Sequence, residues 1–166
     1  MAPNSSTRCS TSDGRIHMIE CVRAVLLTPA DRLLLIRRTW PGGVPYWTLP
    51  GGHVEPDDRD LRAALSREVC EETGGVPDIL GRLLTFDDTH QRDHVYLARI
   101  ARWSESGRTG PEIDDPDHGT YQLDEIAHAS AALSPLPLLP EAVATFLQRT
   151  AAAGQDLAVL ADPTVP

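Results

Sequence analysis

The 166-residue chain is long enough for one domain that buries about two thirds of the surface of its unfolded form. Its formal net charge of −9 argues against a nucleic acid polymer or an anionic membrane as partner. Its three cysteines have no CxxC spacing and predict neither a disulfide framework nor a zinc site. Without a signal-peptide core or a membrane-length apolar run, the sequence predicts a cytoplasmic protein.

Residues 1–16 are polar and lack hydrophobic periodicity, so we expect a flexible N-terminal arm there. Beyond the arm, residues 21–27 predict a buried strand and residues 33–36 predict a second one. Residues 29–31, Pro-Ala-Asp, are suited to a turn between them. These strands are therefore expected to form a β-hairpin.

Two arginines and two aromatic residues follow the second strand and are candidates for contact with a substrate. Arg37 and Arg38 are suited to holding phosphate groups bidentately, although arginines at a strand end also serve simply to solubilise a sheet edge. Trp40 and Tyr46 belong to the loop at residues 39–46 and are suited either to stacking on a nucleotide base or to packing.

Residues 61–73 form the central predicted element, because apolar side chains recur there at helical spacing. The aspartates just before residue 61 are suited to the N-cap and the first turn, where the helix dipole favours negative charge. Gly74 and Gly75 are suited to ending the helix in the left-handed conformation. The sequence therefore predicts one amphipathic helix with readable boundaries.

Three glutamates on this helix, Glu68, Glu71 and Glu72, stand at positions i, i+3 and i+4 and so share one face. Like charges at these offsets destabilise an isolated helix by about 0.2–0.5 kcal/mol per pair. Acidic helix faces are most often simply solvated. A hard divalent cation with oxygen ligands would offset the repulsion, which makes these glutamates candidate metal ligands.

The segment that holds them resembles the Nudix box, the loop-helix motif of the Nudix hydrolase superfamily, whose pattern is GX5EX7REUXEEXGU. Residues 67–74 read REVCEETG and match every specified position up to the glycine, while Gly75 stands where the family usually has a bulky aliphatic residue. Gly51 and Gly52 lie at the start of the motif, which spans residues 51–75.

The first half of the motif departs from the family pattern, because the interval from Gly52 to Arg67 is one residue longer. The earlier glutamate of the family would fall on Arg59, and Asp58 or Asp57 is the nearest substitute. In the family that glutamate supports the junction between loop and helix. The resemblance therefore implies a structural role for Asp58, and for Arg67 a role in pairing with a box carboxylate.

The alternation of strands with two main helices predicts an α/β domain with a mixed sheet. The resemblance implies an α/β/α sandwich over residues 17–152, followed by a tail at residues 153–166. It further implies hydrolysis of a diphosphate linkage in a nucleoside diphosphate joined to another group, such as a nucleoside triphosphate, ADP-ribose or a nucleotide sugar. The partner would be this small nucleotide substrate. The sequence does not decide between a monomer and a homodimer.

By the same resemblance, Glu68, Glu71 and Glu72 are catalytic residues and the ligands of Mg²⁺, with Mn²⁺ as the alternative. Gly51 and Gly52 would let the backbone turn tightly beside the metal and substrate. The general base is either a box glutamate or an acidic residue of the loop at residues 104–118. Glu112 is the first choice in that loop, followed by Asp114 and Asp115.

Beyond the box, residues 79–87 and 95–103 predict two strands around a polar turn, whose His90 and His94 are expected to face solvent. Residues 121–126 predict a strand that leads to a short helix. The C-terminal helix is expected at residues 139–152, and a loose tail from residue 154.

Two other functions compete with hydrolysis. One is a nucleotide sensor that binds without hydrolysing, although a pure sensor has no need of three box glutamates. The other is isomerisation of isopentenyl diphosphate, which a Nudix relative performs with a cysteine and a glutamate that face an apolar tail. Cys70, on the predicted helix, is in the wrong place for that chemistry.

Overall fold

The computed structural model describes residues 18–109 and 119–165, so the predicted N-terminal arm lies outside the described residues. The strands are β1 (Ile19–Leu27), β2 (Arg32–Thr39), β3 (Tyr46–Thr48), β4 (Gly51–His53), β5 (Pro77–Asp87), β6 (Gln91–Ile100), β7 (Thr120–Ala127) and β8 (Leu138–Leu139). The helices are α1 (Leu61–Thr73), α2 (Ser130–Leu133), α3 (Glu141–Ala152) and α4 (Leu157–Leu160), with a 3₁₀ turn at Glu105–Gly107.

The strands form one mixed sheet that is covered on both faces, as the α/β/α prediction requires. Side chains alternate between the faces of a strand. On β1, Val22, Ala24 and Leu26 pack with the apolar face of α1. Val25 and Leu27 face the opposite way and pack in the core around α3. The two buried clusters therefore lie on opposite sides of the sheet.

The predicted hairpin of β1 and β2 is present only at its closed end, where Leu27 pairs with Leu33. One edge of β1 is paired along its whole length with β6, in parallel. The first half of its other edge pairs with β4, antiparallel, with Arg23 opposite Gly51. Because β4 occupies the place that a regular hairpin would give to β2, the two strands diverge and leave a wedge between them.

Helix α1 begins and ends where the sequence predicts. The side chain of Asp60 caps its first turn by accepting a hydrogen bond from the backbone N–H of Ala63, at 2.8 Å. Gly74 ends it in the left-handed conformation, with φ of 68°, and donates its N–H to the carbonyl of Cys70. These local interactions set the orientation of the acidic face relative to the sheet.

Two expectations were wrong. Strand β6 begins at Gln91 rather than at residue 95, so His94 lies inside the sheet and is buried, whereas His90 is exposed as expected. The segment after α3 is not loose in the described residues up to 165, because Leu157 of α4 is buried in the core. The backbone of Asp162 also forms a bridge to that of Arg82 in β5.

Within residues 18–109 and 119–165, no helix is both long and apolar enough to cross a bilayer.

Candidate active site

The wedge between β1 and β2 opens into a cleft of about 480 Å³ beside the acidic face of α1. Its walls come from β1, β2, β4, α1, β7 and the segment after the 3₁₀ turn. Seven of the residues that the sequence proposes for the site line this cleft, namely Arg38, Gly51, Gly52, Arg67, Glu68, Glu71 and Glu72.

Glu72 is fixed at the inner end of the cleft, where its carboxylate accepts a 2.7 Å hydrogen bond from the backbone N–H of Gly51. Burial raises the pKa of Glu72 to about 8, although the hydrogen bond from Gly51 opposes that shift. The negative charge of Glu68 raises the pKa further, whereas Arg108 and Arg23 act to lower it. Without a further positive charge, this carboxylate therefore takes up a proton readily.

Glu68 lies close to the backbone segment of Gly51 and Gly52 in β4, which we call the glycine turn. A Cβ atom added at Gly52 would lie only 2.6 Å from the Glu68 carboxylate, so a side chain at this position would displace that carboxylate. Burial raises the pKa of Glu68, and the neighbouring guanidinium of Arg67 opposes the shift. Glu68 and Glu72 are thus two carboxylates whose burial disfavours their ionised forms, and the charge of Glu68 adds to that cost at Glu72.

Arg67 holds the acidic residues of the loop and helix together. Its guanidinium binds both oxygens of Asp58, at 2.8 and 3.1 Å, and one oxygen of Glu68 at 2.9 Å. It also donates to the carbonyl of His53 at 3.0 Å and lies 3.5 Å from Glu71. Arg67 lowers the pKa of Asp58 by this hydrogen bonding. Asp58 therefore lies at the loop-helix junction despite the extra residue in the motif.

The three glutamates share a helix face but do not converge on one point. Glu68 and Glu71 turn toward Arg67, while Glu72 turns toward Gly51. Within the described parts of the chain, no three acidic, histidine or cysteine side chains form a ready metal site. The donors are nevertheless of the right kind for a hard divalent cation, because they are carboxylate oxygens on one helix face beside an open cleft.

The candidate substrate arginines lie on opposite faces of β2. Arg38 lines the cleft, but Arg37 faces the other core, where its guanidinium lies 5.6 Å from the ring centroid of Trp47. The strand alternation makes this separation unavoidable, since consecutive residues point to opposite faces. The structure therefore does not bring Arg37 to the site, and the proposal of a substrate contact is kept for Arg38 alone.

The two candidate aromatic residues lie near Arg38 but do not form part of the cleft lining in the described residues. The Arg38 guanidinium lies 5.4 Å from the ring centroid of Trp40, which is 39% exposed. Tyr46 pairs with Arg38 across β3 and β2, so both side chains leave the sheet on the same face. Glu112, the candidate base, lies outside the described residues, as do Asp114 and Asp115.

The lining residues that the sequence did not indicate include Arg23, Arg108 and Tyr121. Arg23 forms a 2.5 Å ion pair with buried Asp93, and its only sequence signal is a charge within an otherwise apolar strand. Arg108 and Tyr121 come from separate segments that the fold brings together. Neither belongs to a motif, so no local pattern indicates their role.

The sequence profile of the NUDIX domain matches residues 19–142, which include every element that builds the cleft up to α3. The mixed sheet between two helical layers, with α1 beside Gly51 and Gly52, is the architecture of a Nudix domain. The chain belongs to the Nudix family.

Named relatives share only part of their length with the chain. Mouse bis(5'-nucleosyl)-tetraphosphatase [asymmetrical] is 44% identical over 57 residues, which are 34% of this chain and 35% of the relative. A Bacillus subtilis protein named "Putative 8-oxo-dGTP diphosphatase" is 42% identical over 73 residues, which are 44% of this chain and 46% of the relative. The matches thus span about a third to a half of these curated relatives.

Solved structures show the same fold. The MutT protein from Methanosarcina mazei Go1 aligns with a TM-score of 0.55 and 23% identity, and the alignment covers 84% of this chain and 97% of that one. At this level of identity, the comparison supports the sandwich architecture and carries no information about the substrate.

Proposed function

We propose that the protein is a Mg²⁺-dependent pyrophosphohydrolase that cleaves a diphosphate linkage in a nucleoside diphosphate joined to another group. The observation that carries this proposal is the pair of Glu72 and Glu68 in the cleft. Both carboxylates have a pKa raised mainly by burial; the charge of Glu68 raises the pKa of Glu72 further, and the charge of Glu71 raises that of Glu68. Such a pair is suited to a divalent cation, which stabilises the ionised form of both.

Glu68, Glu71 and Glu72 are the residues that would hold the ion. Mg²⁺ is the first choice, with Mn²⁺ as the alternative, because hard cations take carboxylate oxygens and keep several waters. When bound, the ion supplies charge neutralisation at the phosphoryl oxygens and lowers the pKa of a coordinated water. Helix α1, with its glutamates, and the backbone at Gly51 and Gly52 would determine where the ion is held.

The surrounding residues orient the carboxylates. Arg67 binds Asp58 and Glu68 together, which fixes the start of α1 against the loop that leads to it. The Gly51 N–H holds one oxygen of Glu72 and leaves its other oxygen available. Arg38 also lines the cleft, and its guanidinium would bind phosphate groups of the substrate. Glu112 stays the predicted general base.

The candidates for the substrate are nucleoside triphosphates, dinucleoside polyphosphates, ADP-ribose and nucleotide sugars. The names of the mouse and Bacillus subtilis relatives specify a tetraphosphate and 8-oxo-dGTP, which supports including both kinds of molecule. Each of these molecules contains the diphosphate linkage on which the proposed reaction acts.

A substrate panel tests the proposal. The purified protein is incubated with each candidate in the presence of Mg²⁺, of Mn²⁺ or of EDTA, and the phosphorylated products are separated and identified. We expect turnover of at least one candidate, its abolition by EDTA and its loss in Glu72→Gln. Undiminished turnover in EDTA would contradict the metal assignment. No turnover anywhere, with thermal stabilisation by one nucleotide, would instead indicate a sensor.

A further inference from the structure

Two arginines from different segments lie against one tyrosine ring in the cleft. The guanidinium carbon of Arg38, on β2, lies 4.3 Å from the ring centroid of Tyr121, and that of Arg108 lies 5.5 Å away. Arg38 also donates a hydrogen bond to the Tyr121 hydroxyl, while Arg108 donates one to its backbone carbonyl at 3.0 Å. We call these three residues the arginine clamp.

The charge of the arginine clamp is unbalanced. Within residues 18–109 and 119–165, neither Arg38 nor Arg108 has a carboxylate within 4.0 Å, whereas Arg23 and Arg67 are paired with acidic side chains. The Nε atoms of Arg38 and Arg108 are sheltered from solvent without a hydrogen-bond partner in the same described parts of the chain. Buried donors of charged groups normally have acceptors, so the clamp is suited to an anionic ligand.

The arginine clamp is held at a fixed position relative to the box helix. The backbone N–H of Thr109, next to Arg108, donates to the carbonyl of Glu71 at 2.9 Å. The carboxylate of Glu105 accepts from the backbone N–H of Leu123 at 2.9 Å, which joins the 3₁₀ turn to β7. Both arginines are therefore placed before a ligand arrives, which lowers the entropic cost of binding.

We propose that Arg38 and Arg108 bind phosphate groups beyond the linkage that is cleaved, so that the substrate carries three or more consecutive phosphates. This inference rests on the proposed function. A nucleoside diphosphate joined to a sugar has two phosphates, and both belong to the linkage held at the box carboxylates. A third phosphate supplies the additional oxygens that a second guanidinium binds in its bidentate geometry.

A titration without turnover tests the arginine clamp. Calorimetry in EDTA measures the binding of inorganic tripolyphosphate and of pyrophosphate to the wild type, Arg108→Gln and Arg102→Gln. Arg102 is an exposed arginine six residues before Arg108, so its substitution removes the same charge away from the cleft. We expect the wild type and Arg102→Gln to bind tripolyphosphate about tenfold more tightly than pyrophosphate, and Arg108→Gln to lose that preference.

Steady-state kinetics provides the second measurement. We expect Arg108→Gln to lower kcat/KM for a nucleoside triphosphate and a dinucleoside tetraphosphate about tenfold more than for ADP-ribose, mainly through KM. Arg108→Lys, which keeps the charge but loses the bidentate geometry, should retain part of the preference, and it provides the comparison if the glutamine variant folds poorly. Equal losses on all substrates, a wild-type preference for ADP-ribose, or equal effects of the Arg102 and Arg108 substitutions would overturn the inference.

The outcomes separate the two proposals. If no substrate is turned over but the wild type prefers tripolyphosphate and Arg108→Gln does not, the proposed reaction is wrong and the phosphate-binding clamp is supported. If EDTA-sensitive turnover is present but tripolyphosphate has no advantage over pyrophosphate, the hydrolase is supported and the clamp is overturned.

Discussion

Glu72 accepts a hydrogen bond from the backbone N–H of Gly51, and this contact joins the end of the acidic helix face to the glycine turn of β4. The same turn runs beside β1, where Gly51 pairs with Arg23. A Cβ atom added at Gly51 would lie 2.1 Å from the carbonyl oxygen of Val22. The position of the Glu72 carboxylate therefore depends on the close approach of two backbones, which glycine permits.

Glu72→Gln should remove most of the turnover and leave the fold intact. The amide oxygen of glutamine can still accept from Gly51, but the side chain no longer supplies a negative oxygen to the ion. We expect kcat to fall by about 100-fold or more at saturating Mg²⁺, as for the loss of one preorganised electrostatic group. The melting temperature and kcat are measured together, and an unchanged kcat would refute the metal assignment.

The raised pKa of Glu72 also predicts how the stability of the metal-free protein depends on pH. Folding raises this pKa from 4.5 to about 8, so the folded state binds more protons between these values. Stability from Glu72 is therefore fully present below pH 4.5 and is lost as the pH rises through 8, by an amount on the order of a few kcal/mol.

Urea unfolding in EDTA from pH 4 to pH 9 measures this dependence. The difference in unfolding free energy between Glu72→Gln and the wild type should increase with pH, because only the wild type must ionise the group. Added Mg²⁺ should reduce the loss in the wild type. A difference that stays constant over the whole range would contradict the assignment.

Gly51→Ala and Gly52→Ala should separate folding from activity. At Gly51, φ is 147° and the added Cβ meets backbone, so we expect a loss of at least about 2 kcal/mol in stability. At Gly52 the added Cβ meets the end of the Glu68 side chain, which can rotate away. Gly52→Ala should therefore keep its melting temperature within a few degrees and lose activity. Thermal unfolding and kinetics of both variants check this, and comparable losses of stability would contradict it.

The sequence predicts what depends on local interactions. Helix α1 has both of its boundaries as predicted, because the apolar spacing, the Asp60 cap and Gly74 all act within a few residues. Its three glutamates could be selected by spacing and by their resemblance to the box. The sequence offers both Arg37 and Arg38 for the site, although strand alternation sends them to opposite faces, and only the assembled sheet shows that Arg38 faces the cleft.

Other parts of the site depend on contacts between distant segments. Arg108 and Tyr121 meet because β7 pairs with β2 and the 3₁₀ turn packs beside α1. The sequence contains no periodic or motif signal for such a meeting. His94 was misplaced for a related reason, since the parallel pairing of β1 with β6 extends the sheet over polar residues such as Asp93 and His94.

Asp58→Asn should weaken the junction between the loop and α1. Asp58 binds Arg67 through two hydrogen bonds, and its side chain is only 8% exposed. Removing its charge should cost about 1.5–3 kcal/mol, the range for a hydrogen bond between charged groups. Asp57→Asn, in the exposed neighbouring residue, is the matched control and should change stability by less than about 0.5 kcal/mol. Denaturant unfolding measures the stability of both variants. Equal losses of stability would show that the contact between Asp58 and Arg67 does not stabilise the junction.

Leu157→Ala tests whether the C-terminal segment is part of the folded domain. Leu157 is 3% exposed and belongs to the core around α3, while Val159, two residues later, is 81% exposed. Truncation of a buried leucine creates a cavity, so we expect a loss of about 2–5 kcal/mol, against less than about 0.5 kcal/mol for Val159→Ala. Equal melting temperatures for the two variants would mean that the segment does not pack on the core. A lower melting temperature of Leu157→Ala alone would extend the domain past residue 152, because the core then requires a side chain from the segment that the sequence pattern assigns to a tail.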